Sequence, residues 1–253
     1  MKRIFFLLFT LVIMSSMVAY AQMKPFPYTK TNQRTIIRPN KAADIFHMVE
    51  VGYSPVLQNT IMDDYTRAVK MNAFSLSVSQ ARSILDTYPT HPLYLQYGLN
   101  LQYTFHTNED QDDVSYNGTK YSAGYEILTS FFTMKVPVNL LYSFQIPQTS
   151  LSFMPYAGVH MLVHLSGRQK NTTWQSTNGK KDSTTKVKSM FKDEDMGNNP
   201  CNRFGLGWQV GAKVAYDRLL FGLGYEGYLL NLQKGDDYKV RMPQANISLG
   251  IMF

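Results

Sequence analysis

The sequence predicts an all-β protein, an eight-stranded antiparallel transmembrane up-and-down β-barrel, and three observations support this prediction. The last twelve residues alternate between apolar side chains and small or polar ones. Seven earlier segments alternate in the same way, and the N-terminus has the composition of a secretory signal peptide. Because successive side chains of a strand point to opposite faces, an apolar outer face and a polar inner face are typical of a membrane-spanning barrel.

Eight alternating segments follow one another along the chain and are interpreted as the strands of the barrel. They are residues 45–54, 69–79, 93–106, 121–144, 151–166, 203–215, 219–231 and 242–253. Their apolar faces carry, in chain order, Val49 and Val51; Phe74 and Leu76; Leu95 and Leu99; Met134 and Val136; Val159 and Met161; Trp208 and Val210; Phe221 and Leu223; and Ile247 and Leu249. An even number of strands places both ends of the barrel on the same side of a membrane.

The connections between the predicted strands alternate in length. Residues 55–68, 107–120 and 167–202 are long connections, whereas residues 217–218 form a turn of two. Val214 and Phe221 must lie on the same face, so the number of residues in that turn must be even. Long extracellular loops and short periplasmic turns are the rule for these barrels. The fourth strand begins irregularly, which indicates a β-bulge near residues 129–130.

The N-terminal residues predict export. Lys2 and Arg3 precede the apolar run 4–14, and the small-x-small sequence 19–21 resembles a cleavage site, so residues 1–21 are expected to be a signal peptide. Residues 22–44 are polar and proline-bearing and are expected to form a flexible periplasmic lead-in. Residues 45–253 form the predicted barrel.

Composition excludes several classes of protein. Cys201 is the only cysteine, so the chain forms no intrachain disulfide. The net charge of +7 is mild for 253 residues and its basic residues are dispersed, which suits an anionic lipid surface better than nucleic acid. Aromatic residues make up 13% of the chain and fit interfacial girdles.

Polar residues on the inner faces are expected to fill the lumen, because an eight-stranded barrel is only wide enough for its own side chains. We expect the charges among them to pair, since an unpaired buried charge is costly. Arg203 is assigned inward by the same alternation. The predicted polar plug consists of Glu50, Asn100, Lys135, Asn139, His160, Gln209, Lys213 and Glu226.

A histidine pair and an acidic segment resemble metal sites, but neither has the spacing or the residues that such a site needs. His160 and His164 share a face but lie roughly 13 Å apart in a strand, which is too far for one zinc ion. Residues 108–113 are acidic but lack the glycine and terminal glutamate of a calcium loop, so a solvated loop is the favoured interpretation. The lysine-rich loop 167–202 is either a partner-binding element or an ordinary mobile surface loop.

Residues 131–142, with an apolar-Pro-apolar centre at Pro137, and the later Pro155-Tyr156-Ala157-Gly158 sequence carry a family resemblance. The chain resembles the small outer-membrane β-barrel family of Bacteroidetes, the PorT-like or outer membrane protein β-barrel group. The resemblance covers about residues 45–253 and implies an eight-stranded barrel inserted by the outer-membrane assembly machinery. It implies no catalytic residue.

The expected function is a non-enzymatic outer-membrane barrel with a plugged polar lumen, acting in envelope structure or surface binding through its loops. The alternatives are an accessory barrel for protein secretion or envelope assembly, and a barrel-rim hydrolase. Expected partners are outer-membrane lipid and lipopolysaccharide, the assembly machinery, and an extracellular or secretion-system component. No catalytic residue, cofactor, metal or nucleic acid is expected. The C-terminal assembly signal is assigned to Ile247, Leu249, Ile251 and Phe253.

Overall fold

The computed structural model describes most of the chain from residue 45 onward. The described residues are 45–62, 65–85, 92–116, 119–146, 149–177, 180–192, 194, 200–234 and 239–253. The expected signal peptide and lead-in therefore lie outside the described residues. The strands below belong to one compact unit of the chain, which ends at Met252.

The described residues form eleven strands, all paired antiparallel. They are β1 (Ile45–Met62), β2 (Tyr65–Leu85), β3 (Leu93–Tyr116), β4 (Thr119–Tyr142), β5 (Phe144–Gln145), β6 (Leu151–Thr177), β7 (Lys180–Ser189), β8 (Phe204–Tyr216), β9 (Leu219–Tyr228), β10 (Lys239–Arg241) and β11 (Gln244–Met252). No helix among the described residues is long and apolar enough to cross a membrane.

Eight of the described strands close a ring, which confirms the predicted fold. The order around the ring is β1–β2–β3–β4–β6–β8–β9–β11, and β11 returns to β1. Val49 thus pairs with Val78 on one side and with Ile251 on the other. β10 continues β11 along β1 in the same register, and Pro243 interrupts the two because it has no N–H to donate.

Three hairpins are longer than the sequence predicts, and this corrects the predicted long loops. β1 and β2 stay paired to Met62, β3 and β4 to Tyr116, and β6 and β7 from Arg168 to Thr177. Residues 55–62, 65–68, 107–116 and 180–189 are therefore strand. Residues 107–113 and 182–187 are exposed on both faces, so their backbone pairs without an apolar stripe in the sequence.

The predicted two-residue turn between β8 and β9 is confirmed. Tyr216 pairs with Leu219, so Asp217 and Arg218 form the turn. Asp217 has a φ of 53°, the left-handed value that tight hairpin turns require at a central position. We call this end of the ring the turn end, and the opposite one the hairpin end.

A bulge lies on β6 rather than at residues 129–130 of β4, where the sequence placed it. Phe132 pairs with Ser166 and the next residue, Thr133, pairs with His164, so Leu165 is the extra residue. β6 also changes partner here. It pairs with β8 up to Val163 and with β7 from Arg168 onward.

Two apolar layers lie inside the ring, one toward each end. The hairpin-end layer comprises Val56, Met71, Ala73, Phe131, Leu162, Met190, Cys201, Tyr228, Leu232, Val240 and Met242. The turn-end layer comprises Phe46, Met48, Ala81, Tyr94, Leu141, Met154, Ala215 and Leu220. Along β4, Lys135 and Asn139 lie between Phe131 and Leu141, so the polar part of the interior lies between the two layers.

Candidate functional site

Four charged side chains point into the lumen between the apolar layers. Alternation along β1, β4, β8 and β9 turns Glu50, Lys135, Lys213 and Glu226 inward, and each is at most 9% exposed. Their neighbours on each strand point outward, as the pleat requires. Among the described residues, the lumen therefore holds two positive and two negative charges away from solvent.

These four charges form two ion pairs that cross the lumen. Lys135 Nζ lies 2.5 Å from Glu226 Oε2, and the strands that carry them are separated in the ring by β6 and β8. Lys213 Nζ pairs with Glu50 Oε2 across β9 and β11. Ser248 Oγ donates to the other Glu50 oxygen at 2.9 Å. Each buried charge is thus neutralised, which is the condition for keeping it in a low-dielectric interior.

Amide side chains extend the Lys135–Glu226 pair across the barrel. Gln244 Nε2 donates to Glu226 Oε2 at 2.8 Å. Gln244 and Gln102 exchange hydrogen bonds of 2.9 and 3.2 Å, although their strands are separated by β1 and β2. Gln102 Nε2 also donates to Thr104 Oγ1 at 3.0 Å. A hydrogen-bonded path therefore runs from wall to wall.

A second series of hydrogen bonds follows the wall toward β2. Gln209 Nε2 donates to Asn139 Oδ1 at 2.5 Å, and Asn139 Nδ2 donates to Gln96 Oε1 at 3.1 Å. Gln96 Nε2 then donates to Ser79 Oγ at 3.0 Å. Amides suit this role because each supplies both donors and an acceptor.

Glycines provide the room for the Tyr156 side chain in the lumen. A Cβ at Gly211 or Gly224 would collide with the hydroxyl of Tyr156. The Tyr156 ring lies 5.5 Å from Lys213 Nζ, within the range of a cation–π contact. Small residues leave a cavity of about 60 Å³ beside these groups, lined in part by Ser75 and Ser77. Asn100, expected in the plug, also lines this cavity.

The two histidines are buried but have different surroundings. His164 Nδ1 is 2.8 Å from Thr133 Oγ1, and its ring stacks near Phe191. His160 packs edge-on against Tyr228 at 6.4 Å between ring centroids. Neither ring nitrogen of His160 has a hydrogen-bond partner within the described ranges. The described residues contain no cluster of three or more metal-ligating side chains.

Arg203 departs from the predicted arrangement. The sequence placed it inside, but its side chain is exposed and its guanidinium lies 4.5 Å from the centroid of the Phe191 ring. Residue 203 precedes β8, so strand alternation does not govern its direction. The arginine therefore covers the hairpin-end layer from outside.

Three of the four residues of the expected C-terminal assembly signal, Ile247, Leu249 and Ile251, share the outer face. Ile247, Leu249 and Ile251 are 47%, 60% and 49% exposed, and each alternates with an inward neighbour. Phe253 follows the last paired residue, Met252. Their reading by an assembly machinery stays a prediction.

Several lumen residues are absent from the sequence-based set. Gln96, Gln102, Gln244 and Tyr156 connect the network, yet nothing in a one-dimensional pattern shows which strands face each other across a ring. The apolar layers did leave a signal. At strand ends the inner positions are apolar as well, so that Leu141 follows Leu140 and breaks the alternation.

The fold and the lumen define a small closed antiparallel barrel with an apolar outer face and paired charges inside. No family model matches the chain, and no curated protein matches it significantly. Solved structures similar to it include Ail, the attachment invasion locus protein of Yersinia pestis, at 14% identity, covering 83% of this chain and 100% of Ail, with a TM-score of 0.35. Others are Neisserial surface protein A, at 14% identity, 83% and 98% coverage and a TM-score of 0.35, and the outer membrane enzyme PagL, at 11% identity, 79% and 98% coverage and a TM-score of 0.41. Likenesses this distant transfer no activity or ligand to the present chain.

Proposed function

We propose that the chain is a non-enzymatic outer-membrane β-barrel, exported by its N-terminal signal, with a closed lumen and a role in envelope structure or surface binding. The observation that carries this proposal is the closed ring combined with an apolar outer face. Hydrocarbon demands that every backbone polar group be paired within the protein, and a closed sheet meets that demand.

The outer face would be unsuited to water. Large apolar side chains are exposed on strands all around the ring, including Val51 at 59%, Phe74 at 56%, Met161 at 61%, Leu219 at 64% and Leu249 at 60%. Soluble monomers rarely expose apolar surface on this scale. Strands β8, β9 and β11, of 13, 10 and 9 residues, are close to the length that crosses a bilayer.

The lumen supports a structural role rather than transport or catalysis. The charged groups neutralise one another in the two ion pairs, and the apolar layers separate them from both ends of the barrel. A substrate would have no route to them without displacing a layer. We therefore assign surface activity to the long hairpins, which extend past the ring.

A single outward arginine tests the membrane assignment. Val159 is on the outer face of the barrel part of β6, and we expect Val159→Arg to cost about 2–4 kcal/mol of stability in lipid vesicles. Thr173→Arg on the projecting part of the same strand is the matched control and should cost less than about 0.5 kcal/mol. Insertion is measured as heat-modifiable mobility of the protein on gels of the vesicle fractions.

A protein that remains soluble and folded without lipid, and that gains solubility from Val159→Arg, would contradict the proposal.

The proposed partners and the alternative function rest on the sequence alone. The resemblance to the PorT-like group supports an accessory role in secretion as the alternative, and lipopolysaccharide, the assembly machinery and an external partner as contacts. Secretome profiling after loss of the protein distinguishes that alternative from a purely structural role.

A further inference from the structure

Beyond the ring, four strands continue as one projecting sheet. β3 pairs with β4 out to Tyr116, β4 pairs with β6 out to Thr177, and β6 pairs with β7 from Arg168 onward. The order in this sheet is β3–β4–β6–β7, so β4 and β6 are central and β3 and β7 are its edges.

Both edges of the projecting sheet lack a strand partner among the described residues. β2 follows β3 only as far as the pair Asn72–Phe105, so residues 106–112 of β3 pair with β4 alone. β7 pairs with β6 alone over residues 180–188. An unpaired edge presents a row of N–H and C=O groups that another strand can bind.

The two edges carry opposite charge. Residues 106–112, the acidic edge, contain Glu109, Asp110 and Asp112 and no lysine or arginine, which gives a formal charge of −3. Residues 180–188, the basic edge, contain four lysines and one aspartate, which gives +3. Positions 107–112 and 182–187 are exposed throughout.

From this complementarity we propose that the acidic edge of one copy pairs with the basic edge of a second copy to form a continuous intermolecular sheet. Two acidic edges or two basic edges repel each other, so the same charges that favour the unlike contact exclude the like contacts. Each edge is therefore occupied by the edge of opposite charge from a second copy of the protein.

The strand directions fit this contact, a step that rests on the proposed membrane location. In neighbouring barrels inserted the same way, β3 runs from the ring toward the sheet tip and β7 runs back from it. The meeting edges are thus antiparallel, and antiparallel ladders give well-aligned hydrogen bonds. Each copy uses its acidic edge toward one neighbour and its basic edge toward another, so the contact is heterologous and can extend to further copies.

Charge reversal on each edge provides the test. The acidic-edge variant carries Asp110→Lys and Asp112→Lys, and the basic-edge variant carries Lys186→Glu and Lys188→Glu. Arg168→Glu with Lys170→Glu on the central strand β6 is the matched control for the basic-edge variant, with the same charge change of −4. Association of the refolded full chain is measured by sedimentation velocity in an uncharged detergent, with heat-modifiable mobility as the check that each variant is folded.

We expect the native protein and the control to associate at an ionic strength of about 0.01 M and to dissociate near 1 M. Each edge variant alone should associate at least roughly tenfold more weakly. An equimolar mixture of the two variants should regain association, because each then meets an edge of opposite charge.

Three results would overturn the inference: a native protein that is monomeric at low ionic strength, edge variants that associate like the control, or a mixture that stays monomeric. Vesicle insertion is scored separately. Insertion without association would rule out the edge contact and leave the membrane-barrel proposal intact. Association without insertion would rule out the membrane-barrel proposal and leave the edge contact intact.

Discussion

Lys135 and Glu226 illustrate how a barrel interior can hold charge. The two side chains are contributed by strands that are not neighbours, and their ion pair bridges the two intervening strands β6 and β8. Alternation along each strand predicts that both face inward. It cannot predict that they meet, because the contact depends on the diameter and stagger of the closed ring.

We expect Glu226→Gln to lower the free energy of unfolding by about 3–5 kcal/mol, because Lys135 would keep a buried charge without a counterion. Urea unfolding of the refolded protein, followed by tryptophan fluorescence, measures this. The double variant Lys135→Met with Glu226→Gln should recover at least half of the loss. A single variant that costs less than about 1 kcal/mol would show that the pair is solvated.

Cys201 gives a pH-dependent prediction. It lies in the hairpin-end layer, outside the ring strands, and burial raises the pKa of its thiol to about 11 from an ordinary 9.0. At pH 8 about one thiol in a thousand is ionised, so alkylation by iodoacetamide should be about 100-fold slower than for a free thiol.

Full labelling of Cys201 is expected once urea unfolds the chain. The raised pKa also fixes the sign of the pH effect on stability. The contribution is present below pH 9 and is lost as the pH rises through 11. Rapid labelling of the folded protein at pH 8 would mean that the hairpin-end layer is open to solvent.

At the scale of single elements, the sequence predicts strands well where one face meets an apolar environment and the other a polar lumen. β8, β9 and β11 therefore begin within two residues of their predicted starts. The sequence does not predict the outer parts of β3 and β6 as strands, because both faces of the projecting sheet are in contact with water. Residues 107–113 are all polar, so the sequence predicts a loop there although their backbone is paired.

The projecting hairpin should be removable without loss of the barrel. Replacing residues 110–125 with Asn-Gly joins the paired residues Glu109 and Glu126 through a two-residue turn. No residue of either apolar layer is removed, so the free energy of unfolding should change by less than about 2 kcal/mol. Phe131→Ala, in the hairpin-end layer, should cost about 3–5 kcal/mol.

Heat-modifiable mobility and urea unfolding compare these two variants. A shortened protein that no longer folds would mean that the projecting sheet nucleates the ring. The contrast between the variants therefore separates the stability of the barrel from that of its extension.

For the whole molecule, the enclosed lumen predicts low conductance. The polar network crosses the barrel, and an apolar layer lies on each side of it, so ions have no hydrated path. Planar bilayers containing the native protein should conduct near the background level. Porin-like steps from the native protein would contradict the plugged lumen.

The two layers are expected to act in series. Phe131→Ala with Leu162→Ala opens only the hairpin-end layer and should leave the conductance low. Adding Leu141→Ala and Met154→Ala opens the turn-end layer as well and should raise the conductance above background. The apolar layers, which the predicted polar plug did not include, would then be the barrier.

The bulge at Leu165 has a consequence for how such a barrel can vary. It lies where the pairing partner of β6 changes from β8 to β7. The bulge therefore separates the part of β6 that belongs to the ring from the part that belongs to the projecting sheet. An insertion or deletion beyond the bulge changes only the β6–β7 hairpin. The ring part of β6 keeps the same side chains facing the lumen and the same side chains facing outward. The exterior can therefore diversify by insertion or deletion while the lipid-facing part keeps its alternation.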